Sequence, residues 1–151
     1  MREIRAAELP HRPHLWVIAF VPHDQVEATA WWQRPLAPGY RHVFAFRALA
    51  EGLTEIVNHM GRALHFQVTT ERADVLAARF AEAGMTLLAM PPDSTAPRAM
   101  LRGPMTCVEV VKALLGWRGL LILTPRQLER ALRRRGAQPV TFPHTPQQEA
   151  A

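Results

Sequence analysis

Cys107 is the only cysteine in this 151-residue chain, and its neighbours predict that it opens a helix. Thr106 and Glu109 have the T-x-x-E spacing of a capping box, with Thr106 as N-cap and Cys107 as first helical residue. Val108, Val110, Val111, Leu114 and Leu115 make the helix largely apolar, and Gly116 supplies a stop. A sulfur at that position faces free backbone N–H groups and the positive end of the helix dipole. Both favour the thiolate, which is the nucleophilic form. The same N–H groups could hold an oxyanion. The chemistry then lacks only a base.

Three histidines are candidates for that base: His42, His59 and His65. His42 is the best placed, because residues 40–46 read as a strand whose period of two puts His42, Phe44 and Phe46 on one face. An imidazole on a strand, facing a thiol on a helix, can take the thiol proton and later protonate a leaving group. A third polar group usually orients the ring. Asn58 and His59 are available on the next strand but point to opposite faces, so one of them serves. Asn58 is preferred slightly, since an amide accepts the ring N–H without titrating. The competing reading is structural: a lone cysteine is often a small buried hydrophobe, and a lone strand histidine is often part of a core.

Other chemistries find little support. Ser94 is the only serine, and G-x-S-x-G is absent. Asp24, Asp74 and Asp93 form no convincing metal cluster, and neither H-E-x-x-H nor C-x-x-C occurs. His11-Arg12-Pro13-His14 offers at best a weak metal site, because proline between the histidines prevents a helical pair. Without a glycine-rich phosphate loop, no nucleotide is expected, and the reading includes no metal or cofactor. The formal charge is +5, and Lys112 is the only lysine. Much of the excess lies late, at Arg126, Arg130 and Arg133 to Arg135, where no aromatic residues interleave. A solvated helix face is therefore preferred to nucleic-acid binding. No apolar run approaches the ~20 residues of a membrane span, and no signal peptide is expected. One cysteine excludes an internal disulfide framework and fits synthesis in a reducing cytoplasm.

The elements around these residues suggest one α+β domain: a small, mostly antiparallel sheet packed against the cysteine helix and two others. Residues 1–14 read as an irregular lead-in, 15–136 as the domain and 137–151 as a disordered tail. Residues 15–21 are a continuous apolar run of strand length. Residues 26–32 suggest a short helix, and Pro35 to Gly39 a turn. Glu51-Gly52 suggests a hairpin turn into a strand over 54–59, and a third strand covers 64–69. Val75, Leu76, Phe80 and Ala83 outline the apolar face of a helix closed by Gly84, followed by a strand over 85–89. Residues 91–104 are proline-rich and read as a long surface loop. Residues 120–123 read as a short strand or extended connector. Thr124-Pro125-Arg126-Gln127 is a second capping box, whose helix runs to Arg135.

The segments Tyr40-Arg41-His42-Val43-Phe44-Ala45-Phe46, Glu55-Ile56-Val57-Asn58 and Met105-Thr106-Cys107-Val108-Glu109-Val110-Val111-Lys112 together resemble circularly permuted papain-like cysteine hydrolases. These are relatives of bacterial cell-wall peptidases and lecithin:retinol acyltransferase-type enzymes. The order His42 before Cys107 matches the permuted members. Leu123-Thr124-Pro125-Arg126-Gln127-Leu128 is also similar to a segment of small proteins from phage and prophage tail modules. The resemblance covers roughly residues 30–135. It implies Cys107 as nucleophile, His42 as base and Asn58 or His59 as the third group. The implied activity is hydrolysis or acyl transfer at an amide or ester, with a cell-wall peptide as the natural substrate. It equally accommodates a non-enzymatic virion or tail-assembly component with the same fold, partnered by phage structural proteins and associated with the virion.

Overall fold

The computed structural model describes residues 3–22, 40–94, 105–117 and 121–143. The described strands are β1 (Ile4–Arg5), β2 (Trp16–Pro22), β3 (Tyr40–Ala48), β4 (Thr54–Met60), β5 (Ala63–Thr69), β6 (Thr86–Met90) and β7 (Gln138–Thr141). The described α-helices are α1 (Ala73–Glu82), α2 (Cys107–Leu114) and α3 (Pro125–Arg134). The strands form one seven-stranded sheet in the order β1-β7-β6-β2-β3-β4-β5. Only β1 and β7 pair in parallel; the other neighbours are antiparallel. The architecture is α+β with a mostly antiparallel sheet. The helix expected over 26–32, the turn at 35–39 and most of the 91–104 loop lie outside the described residues.

Both faces of the sheet centre are covered, which is why β2 is apolar throughout. Its Val17, Ala19 and Val21 join Phe44, Phe46, Leu76, Ala77 and Leu87 on the α1 face. Its Trp16, Ile18 and Phe20 join Val43, Ala45, Val57, Val108, Val111, Leu128 and Leu132 on the α2–α3 face. Full burial of each large apolar side chain contributes about 1.5–3 kcal/mol relative to exposure. Alternation along β3 divides its residues as the sequence suggests: Phe44 and Phe46 pack edge-on against Phe80 of α1, at 5.1 and 5.5 Å between ring centroids. The hairpin between β3 and β4 turns through a 3-10 segment, Ala50–Gly52, with Gly52 at φ 77°.

Three expectations are corrected. The lead-in is not irregular: Ile4 and Arg5 form β1, a 3-10 helix spans Ala6–His11, and Ile4, Ala6 and Leu9 are buried. The supposed tail begins with β7, which pairs with β1 and β6, and buries Val140. These two short strands complete each other across 136 residues of chain, and a four-residue strand containing Pro139 carries no local signal. In α1 the buried set is Ala73, Leu76 and Ala77, with Phe80 packed beside it, while Val75 is 47% exposed. Val75 lies about 100° around the helix from Leu76, outside the narrow stripe the sheet covers. Residues 121–123 form a connector rather than a strand.

Candidate functional site

Cys107 opens α2, as its sequence neighbours predict. The Thr106 hydroxyl accepts a hydrogen bond from the Glu109 backbone N–H at 3.2 Å, which fixes the first turn. Only half of the capping box forms. The Glu109 carboxylate turns away from the N-cap and pairs with Lys112 Nζ at 2.5 Å. Lys112 is 3% exposed and also donates to the Ile122 carbonyl at 3.4 Å. The single lysine of the chain therefore ties the cysteine helix to the connector that leads into α3. That connector feeds a complete capping box, in which Thr124 and Gln127 bond reciprocally.

On the sheet, His42 and Asn58 come together. The His42 Nε2–H donates to Asn58 Oδ1 at 2.7 Å. That bond leaves Nδ1 as the basic nitrogen of the neutral ring. The ring also stacks on Phe44, with centroids 6.3 Å apart and planes at 26°. His59 takes no part in this bond. It is 8% exposed, lies on the Val57 side of β4 and pairs across the sheet with Leu64. Its charge acts on His42 only at a distance. Of the two third-group candidates, the ring meets Asn58. His65 stands opposite Asn58 on β5 and is exposed.

The thiol approaches the same stretch of chain from α2. It lies against the Val43 backbone, one residue from His42, and against the N–H groups of Val108 and Cys107 itself. The ladder between β3 and β4 ends at Ala45↔Val57, so residues beyond it carry no ladder partner on β4. Val43 belongs to the face covered by α2, whereas His42 pairs with Val21 and shares the opposite face with Phe44. Sulfur and imidazole thus meet β3 at consecutive residues and from its two sides. Among the described residues no hydrogen bond joins them.

Burial governs both groups. It pushes the Cys107 thiol up, opposed in part by the N–H groups of Val43, Val108 and Cys107. It pushes the His42 ring down, with the Asn58 bond raising it and the charge of His59 lowering it further. The thiolate expected from the helix dipole is therefore not the resting form: desolvation outweighs the helix terminus here. The backbone contact at Val43 had no sequence signal, because main-chain groups are the same at every residue. Lys112 did have one, as the single lysine within an apolar helix.

Among the described residues no group of three or more His, Cys, Asp or Glu side chains is placed to hold a metal ion. No described helix is long and apolar enough to cross a membrane. Comparison with protein-family models, characterised proteins and solved structures gave no match to the chain.

Proposed function

We propose that this protein is a cysteine-dependent hydrolase or acyl-transfer enzyme acting on an amide or ester, built on a permuted papain-like domain. The observations behind the reading are the 2.7 Å bond from His42 to Asn58 and the thiol held at the backbone of the adjacent Val43, on the other side of β3. In the reaction the thiol proton passes to His42 Nδ1 as sulfur attacks the carbonyl carbon. The oxyanion is held by backbone N–H groups at the start of α2. The imidazolium then protonates the departing amine or alcohol, and water or a second nucleophile releases the acyl group from sulfur. A peptide bond of the cell wall is the substrate suggested if the resemblance of the Leu123 to Leu128 segment to phage tail-module proteins holds.

The test is direct detection of the acyl-enzyme. Activated p-nitrophenyl esters and a cell-wall peptide are incubated with the protein, and intact mass is read with release of product. The expected result is an acyl adduct on Cys107, none in Cys107→Ala, and a rate lower by about 10²–10⁴-fold in His42→Ala. Equal turnover by Cys107→Ala and the unaltered protein rules the mechanism out.

A second reading has its own support. Thiol and imidazole are both held neutral by burial and meet β3 from different sides. That arrangement suits a non-enzymatic virion or tail component that keeps the fold. Under it, Cys107→Ala leaves incorporation into particles and infectivity unchanged.

A further inference from the structure

β5 closes one end of the sheet, and its outer edge is unpaired among the described residues. It is seven residues long, Ala63–Thr69, with the sequence Ala-Leu-His-Phe-Gln-Val-Thr. Edge strands are usually blunted by lysine, proline, bulges or inward charges. This one has no proline, lysine, arginine or carboxylate, and it pairs with β4 over its whole length without a register shift. Phe66 is 65% exposed and Val68 58% exposed. Both lie on the Val57 side of the sheet, outside the cluster that α2 and α3 cover and against which Leu64 packs.

The order of residues selects an occupant. Phe66 is the middle residue of β5. A second copy of the same strand, antiparallel about a two-fold axis through Phe66, is the only two-fold register that pairs all of it. Phe66 then meets Phe66 of the other copy, Leu64 meets Val68, and His65 meets Gln67. Every apolar residue of that face finds an apolar partner, and no carboxylate or ammonium group faces another. We infer that this protein self-associates through β5, two sheets joining edge to edge across an axis at Phe66. The interface is isologous, the commonest kind among homodimers. It is independent of the chemistry proposed for Cys107.

One strand edge offers less than the ~800 Å² per partner of a standard stable interface, so the dimer is a weak one. Sedimentation equilibrium from ~10 μM to ~1 mM tests it. The average mass should climb from 17.0 kDa toward twice that value. Phe66→Lys sets two ammonium groups against each other on the axis and should raise Kd at least about tenfold. The exposed position keeps the fold intact, which circular dichroism and unchanged melting would verify. Register is read separately in a Cys107→Ala background. There Phe66→Cys should cross-link to itself under mild oxidation, and Val68→Cys should do so far more slowly. A constant 17.0 kDa at ~1 mM, association unaltered by Phe66→Lys, or faster linkage through Val68→Cys overturns the inference.

Discussion

Replacing Asn58 with alanine removes the one side-chain partner that the His42 ring N–H has among the described residues. A neutral hydrogen bond contributes about 0.5–1.5 kcal/mol net, and a buried donor left unsatisfied costs about 1–3 kcal/mol. His42 is only partly buried, so water can reach some of the freed group. The expected loss of stability is about 1–2 kcal/mol, or about 2–8 °C in Tm for a chain of this size. The titration of the ring should move as well. Burial already holds His42 below the ordinary histidine value, and the Asn58 bond is what opposes that shift. Asn58→Ala should lower it further, and His59→Gln should raise it by removing a neighbouring positive charge.

The pH dependence follows in sign. Because the folded ring titrates lower than the unfolded one, the unfolded chain binds more protons at pH values between the two. Stability therefore rises with pH in that window. The contribution is complete above the unfolded value of about 6.5. It is lost progressively as pH falls toward the lower folded value, and Asn58→Ala extends that loss to more acidic pH. Urea unfolding between pH 5 and 8 measures the slope, and proton NMR of the His42 ring measures the titration. If Asn58→Ala leaves the ring titrating where it did, or higher, the 2.7 Å bond does not exist in solution and the orienting role of Asn58 goes with it.

The ion pair within α2 gives another test. Lys112→Ala should cost about 2–4 kcal/mol in urea unfolding. That is less than the ~3–5 kcal/mol for breaking a fully buried pair, because Glu109 keeps 23% exposure and can be hydrated. Lys112→Met, which keeps the packed stem, should lose less. The two helix caps should differ: Thr124→Ala combined with Gln127→Ala removes both halves of a reciprocal box and should cost about 1–2 kcal/mol, whereas Thr106→Ala removes a single bond and should cost about 0.5–1 kcal/mol. Equal costs at the two positions would show that the Gln127 half of the box contributes nothing.

What was legible in the sequence followed local rules. Helix starts at Cys107 and Pro125 were readable because capping residues and proline at the first turn act within four residues. The faces of β3 were readable from a period of two that its packing obeys. The apolar run that became β2 was readable because a strand buried on both sides needs no polar residue. β1 and β7 were not readable, since two and four residues carry no periodicity and their pairing joins distant parts of the chain. The Glu109 side chain also departed from its local rule. A capping box was available, but Lys112 is buried and needs a counter-charge more than the helix needs a second cap.

The same competition decides how Cys107 could act. Helix position alone argues for a thiolate; burial argues against it and prevails at rest. The three backbone N–H groups around the sulfur are then more useful in the reaction than before it. An incoming carbonyl that takes up the donors at the start of α2 withdraws them from sulfur, which makes a free thiolate still harder to form. Under the proposed mechanism, attack would resolve the conflict, because it would move the negative charge from sulfur onto the carbonyl oxygen, where those donors would then point.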